Sequence, residues 1–284
     1  MRKTLLTSSG SNACWKVPLF DMERKHYRFF RLLIIFLLSA CPTLCWADDN
    51  TEKNSANDTD ASVELDAFDY TSLYDEPEVL RKLDKTAPIW VSKDRKNVVL
   101  GGQICLREGL LEFFACRRNS KEHESIVSLD IPPHLIHASL LAIGAKQGAP
   151  AKYDPVFVPP SGEEIEIEAR WIDEKTEELV KKRAQELVLE SESGRTMQAP
   201  WVFTGGLFGV DPDGKKYYLA NVTGEVFGVS NFPGSVLDVP FESSSDNASL
   251  CYMPNTKNIP PIGTKILLVL SRKLQNELKG PFNE

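Results

Sequence analysis

The chain is poor in the residues that most catalytic chemistry needs. Its 284 residues include only four histidines and six cysteines. It contains no G-x-S-x-G elbow, no H-E-x-x-H pair and no G-x-x-x-x-G-K-[ST] loop, the signatures of serine hydrolases, zinc proteases and P-loop nucleotide enzymes. No basic stripe with interleaved aromatics runs through it. Its longest strictly apolar run, residues 32–38, holds seven residues, whereas a membrane-spanning helix needs about 20.

What that short run does suggest is a leader. Arg24, Lys25, Arg28 and Arg31 precede it, Pro42 breaks it, and Cys45-Trp46-Ala47 places small residues where a signal peptidase reads. Residues 1–47 are therefore expected to be a signal region, with Met22 as an alternative start and Asp48 as the first mature residue. A rival reading takes Leu38-Ser39-Ala40-Cys41 as a lipobox, with Cys41 as the lipid attachment. Either way the protein is expected to be exported, periplasmic or extracytoplasmic, touching membrane only through such an anchor. Seven Lys/Arg and two acids fall in the leader, leaving 26 basic and 38 acidic side chains and a net charge of −12. Such a surface repels phosphate backbones, which argues against nucleic acid as a partner.

Cys105, Cys116 and Cys251 remain after the leader, an odd number that allows one internal disulfide at most. Residues 98–105 and 110–116 read as a β-hairpin turning at Arg107-Glu108-Gly109. In that pairing Cys105 and Cys116 lie five ladder steps apart, roughly 16 Å at about 3.3 Å per residue, so they are not expected to join. Cys251 could reach either of them, and three buried apolar thiols are the plain alternative.

Residues 48–85 read as an acidic flexible spacer with a short helix at 76–83 capped by Asp75. Residues 86–272 read as one domain, and 273–284 as a polar tail. After the hairpin come a charged loop, a strand at 125–130 and a helix over about 132–146, started by Pro132-Pro133 and bounded by Gly144 and Gly148. Residues 164–172 alternate strictly, as a strand with one wet face does. A further strand runs through about Arg183, with 184–189 open between helix and strand. Strands are expected again at 201–206, 216–220, 225–230, 250–253 and 265–270. The fold class expected is α+β: a mainly antiparallel sheet with one principal helix packed on it.

Several strings carry a family likeness: Cys105-Leu106-Arg107-Glu108-Gly109, Phe114-Ala115-Cys116, Lys121-Glu122-His123-Glu124-Ser125-Ile126-Val127 and Ile136-His137-Ala138-Ser139-Leu140-Leu141. So do Trp201-Val202-Phe203-Thr204-Gly205, Ser230-Asn231-Phe232-Pro233 and Leu237-Asp238-Val239-Pro240. In these the chain resembles the YdjY-domain family of exported bacterial proteins, from roughly residue 98 to residue 270. The resemblance implies export and carries no established activity with it. An iron–sulphur cluster normally takes four closely spaced thiolates, which three scattered cysteines do not supply.

Two chemical readings follow from the residues. The first is a non-catalytic module that binds an envelope protein or a small ligand, without a cofactor, through Lys121, Glu122, His123, Glu124, Ser125, Asn231 and Phe232. The second is a zinc-type metal module or metal-dependent enzyme. His134 and His137 share one side of the helix, and with His123 and Cys105 or Cys116 they could complete a tetrahedral donor set.

Overall fold

The computed structural model describes residues 68–243 and 250–273, so the leader and Cys41 lie outside the described residues. Eight strands form its frame: β1 (Asn97–Ile104), β2 (Phe113–Arg117), β3 (Ser125–Leu129), β4 (Glu164–Ile172), β5 (Trp201–Phe203), β6 (Glu225–Gly228), β7 (Leu237–Asp238) and β8 (Lys265–Arg272). They pair in the spatial order β1-β8-β4-β5-β7-β6-β2-β3, and β3 pairs back onto β1. The ring is closed. Six contacts are antiparallel, while β6–β7 and β2–β3 are parallel.

This overturns the expected open sheet with a helix laid across it. The helix α1 (Pro133–Ala142) has ten residues. It sends Ile136 and Leu140 into the same core as Ile104, Phe114, Ile126, Trp201 and Phe227. A second, five-residue helix α2 (Leu219–Thr223) ends at Gly224, whose φ of +82° suits a residue without a Cβ. An eight-stranded barrel leaves an interior that side chains just fill, and here it is filled.

The strand sequences match this geometry. In β4, Ile165, Ile167, Ala169 and Trp171 enter the core, while Glu164, Glu166 and Glu168 stay outside. The apolar run of β8 does not alternate because both of its faces are covered. Ile266, Leu268 and Leu270 join the main core; Leu267 and Val269 join a second cluster with Leu73, Trp90 and Val99. That outer cluster is roofed by Tyr70, Tyr74 and Leu80. Gly101 makes room for it, since a Cβ there would stand 2.6 Å from the Tyr70 ring.

The segment read as the end of a spacer thus packs on the barrel. In place of the helix expected at 76–83, a 3-10 turn at Pro77–Val79 leads into the strand Leu80–Lys82, which pairs with Ile89–Ser92. Leu179–Arg183 is the strand expected beside β4. Beyond it the open stretch resolves into a 3-10 turn, Ala184–Leu187, and a strand, Val188–Glu190.

The hairpin expected from 98 to 116 does not form. Its two strands exist, but β3 inserts between them, antiparallel to β1 and parallel to β2. This exchange brings the charged 121–125 loop back over the strands it connects.

Candidate functional site

The loop is a tight turn. Glu122–Glu124 makes one 3-10 turn, Glu122 Oε1 accepts the Asn119 amide at 2.9 Å, and Ser125 Oγ donates to the Lys121 carbonyl at 2.6 Å. From this turn Lys121 reaches inward. Its Nζ lies 2.8 Å from Glu124 Oε1 and 3.7 Å from Glu112 Oε2. The same ammonium stands 5.6 Å from the centroids of both Phe113 and Phe232, whose rings are 4.8 Å apart. Cation–π attraction at this range adds to the ion pairs.

Acid outnumbers base here. Glu112 is buried, and desolvation, then its hydrogen bond and repulsion with Glu124, push its pKa up to about 7. Glu225 is buried nearby and is raised by desolvation, with Lys121 opposing the shift. Burial alone would lower Lys121, but Glu124, Glu112 and Glu225 outweigh it and hold the ammonium more basic than usual. Three carboxyl groups therefore share one cation. Sequence reasoning singled out Lys121 and Glu124 but missed Glu112 and Glu225. The available signal was an acid inside an apolar run, Leu111-Glu112-Phe113-Phe114.

The loop that carries Phe232 is held from behind by Asn231. Asn231 is 1% exposed, its Oδ1 accepts the Ser243 amide at 2.7 Å, and its Nδ2 donates to Asp238 Oδ1 at 3.2 Å. Tyr153 donates to its carbonyl at 2.6 Å. Asp238 is fully buried, and desolvation pushes its pKa up to about 8. Its Oδ2 has no hydrogen-bond partner among the described residues. Asn231 thus positions Phe232 and does not line an opening.

The three candidate imidazoles occupy three separate settings. The His123 side chain is 74% exposed, with Nε2 at 3.6 Å from Glu124 Oε2. His134 shares Nδ1 with the Asn221 side-chain amide at 3.0–3.2 Å. His137 is buried against the edges of Phe203, Phe208 and Tyr218, with Nδ1 at 3.3 Å from the Tyr218 hydroxyl, and burial lowers its pKa. Among the described residues no three of His, Cys, Asp or Glu converge as metal donors. The zinc-type set of His123, His134, His137, Cys105 and Cys116 is therefore not assembled.

Cys105 and Cys116 are not joined in a disulfide, as expected. Cys105 Sγ donates to the Ser125 carbonyl at 3.0 Å. The Cys105 thiol is held above its ordinary value and the Cys116 thiol below its own, each chiefly through the other, with burial adding to the rise at Cys105. The hairpin pairing assumed for them is replaced by the insertion of β3: Cys116 stands opposite Ser128, and the Cys105 amide donates to the Ile126 carbonyl.

Open grooves of about 370 and 430 Å³ lie around Arg170 and around Asp75, and Lys121 lines neither. Among the described residues no helix is long and apolar enough to cross a membrane. No curated protein and no solved structure matches the chain. A family model described as YdjY domain matches residues 89–271, 183 of the 284.

Proposed function

The chain belongs to the YdjY-domain family, and on that premise we propose that it is a non-catalytic binding module of the bacterial envelope, exported behind its leader. The observation that carries this reading is the Lys121 clasp. One half-buried ammonium joins the 121–125 turn to the Phe113–Phe232 ring pair in a setting with surplus acid. Polar groups converging on an apolar surface are what a recognition site requires. Ser125 Oγ donates to a main-chain carbonyl, and His123 faces water beside Glu124.

The surplus of carboxylate selects a cationic ligand or partner surface. Glu122 and His123 at the turn's outer edge would meet it first, with Glu124 and Phe232 behind them. Titration of the purified chain with spermidine and, separately, with a tri-aspartate peptide tests this. Binding of the polyamine alone is expected, weakening as salt is raised and falling at least threefold in E122Q/E124Q. Preference for the acidic peptide, or polyamine binding unchanged in that variant, would sink the cationic reading. Steady turnover of any substrate, lost in H123A, would sink the non-catalytic one.

A further inference from the structure

The acid-rich turn has an apolar neighbour that the binding reading leaves unused. Residues 152–158 form a small closed loop. The Lys152 amide donates to the Val158 carbonyl at 3.0 Å, and the Val158 amide donates back to the Lys152 carbonyl at 2.9 Å. Asp154 and Pro155 turn the chain between them. The loop shows water an apolar surface. Val156 is 71% exposed, Tyr153 54% and Val158 51%, and the Tyr153 ring braces Phe157 at 5.5 Å. Apolar side chains held out in water by fixed main-chain bonds, grouped instead of scattered, mark a surface that another molecule covers.

This loop is tied to the Lys121 site through two consecutive residues. Tyr153 donates to the Asn231 carbonyl at 2.6 Å, and Phe232, the next residue, shares Lys121 with Phe113. The Asn231 amide donates to the Ser243 carbonyl at 2.9 Å, so Phe241, 39% exposed, and the exposed Glu242 lie within two residues of that bond. Lys152 and Asp154 cancel, so the loop adds apolar area without altering the excess of carboxylate beside it. An apolar centre with a charged rim is the make-up of a protein interface.

Resting on the cationic reading above, we propose that the partner is an extended segment of an envelope protein, with a Lys or Arg for the Glu122–Glu124 turn and a large apolar side chain for Tyr153, Val156 and Val158. An extended chain advances about 3.3 Å per residue, so a few residues reach from the turn across Phe232 to the loop. Charge complementarity chooses this occupant. The carboxylates select the basic residue, and the loop takes the apolar side chain out of water, which a small polyamine cannot offer. An anionic surface would be repelled by the same carboxylates.

Calorimetric titration of the purified chain with two blocked peptides of equal charge, Lys-Gly-Lys-Gly-Gly-Gly and Lys-Gly-Lys-Gly-Leu-Trp, tests this, with spermidine alongside. The Leu-Trp peptide is expected to bind about tenfold more tightly, the scale of one large apolar side chain buried, and with a more negative heat-capacity change. V156S/V158S should abolish most of that gain and leave spermidine binding as in the parent. Serine is chosen because an acid there would itself attract the peptides. E122Q/E124Q should weaken both peptides alike. Circular dichroism confirms that each variant is folded. Equal binding of the two peptides, or a gain that survives V156S/V158S, overturns this inference and leaves the cationic reading standing. No binding of either peptide or of spermidine overturns both. A dimer of the parent by light scattering that V156S/V158S dissolves also overturns the inference, because the loop would then be covered by a second copy.

Discussion

Two charged clusters sit on this barrel, and they obey opposite electrostatics. On the outer wall Arg170 and Lys181 face Asp75 and Glu168, two cations to two anions. Arg170 also covers the Tyr74 ring at 5.1 Å. The Asp75 side chain is 55% exposed, and its hydrogen bond to Lys181, despite some desolvation, holds its pKa below the usual carboxylate range. At the Lys121 end three carboxyl groups share one ammonium, burial dominates, and Glu112 is pushed up instead of down. The outer wall is balanced and wet, which is how charges fasten a loop to a sheet. The Lys121 end is unbalanced and half-buried, an arrangement that costs stability and is expected where a site is kept for a ligand.

Removing the cation from each cluster should separate them most sharply. K121A leaves Glu112, Glu124 and Glu225 together without their counter-charge, so its cost should be about 3 kcal/mol at pH 8, the scale of breaking a buried pair. Near pH 5, where Glu112 holds its proton, the cost should fall by roughly half. R170A loses packing on Tyr74 and two pairs whose acids can turn to water, about 1.5 kcal/mol, with little change over that pH range. Urea unfolding of both variants at the two pH values measures this. Equal costs at both pH values for K121A would erase the distinction.

A second test needs only Glu112 and Asp238. Their folded pKa values, about 7 and about 8, lie above the ordinary carboxylate values of 4.5 and 3.8. The folded state therefore keeps protons that the unfolded chain releases. The stability due to those protons is complete below about pH 4 and is lost as pH rises through 7 and 8. The folded chain should lose stability between pH 5 and pH 8, at up to about 1.4 kcal/mol per pH unit for each group. E112Q should remove part of that slope and D238N most of the rest, read from denaturant midpoints across the range. A parent whose stability is flat or rising there would show both groups ionised at neutral pH.

How much of this the sequence disclosed depended on range. Local pattern placed the strands well, because Ile165, Ile167, Ala169 and Trp171 declare a period of two and the continuous run of β8 declares two buried faces. Pairing was not legible. A turn at Arg107-Glu108-Gly109 looks like a hairpin closure, yet β1 pairs there with β3, some 25 residues further on, and nothing local to residues 98–116 encodes that insertion. Closure into a barrel was missed for the same reason. The helix was over-extended because Ile143 and Ala145 continue its apolar character, whereas the chain turns at Gly144 with φ +83°. At the site, the Lys121-Glu122-His123-Glu124-Ser125 string announced the turn, while Glu112, Glu225 and Asp238 each hid as one acid inside an apolar stretch. The metal reading failed because helical spacing put His134 and His137 on one side without fixing what each would meet: Asn221 for one, Tyr218 for the other.

The smallest effect should come from the outer wall's most exposed pair, and it sharpens the comparison from the other direction. Lys181 and Asp75 make an ion pair between side chains that are 37% and 55% exposed. Such pairs contribute about 0.2–1 kcal/mol and are screened by salt. K181A should cost roughly 0.5 kcal/mol in dilute buffer and almost nothing at 1 M salt, where the screening length is about 3 Å. Because the folded pKa of Asp75 is depressed, what this pair contributes is present above the ordinary Asp value of 3.8 and is lost as pH falls below it, the reverse of Glu112. K181A should therefore soften the acid limb of the stability curve and leave the slope between pH 5 and pH 8 untouched. Should K181A instead alter that upper slope, the two clusters would be communicating through the barrel wall, and a ligand at Lys121 could be sensed at Arg170.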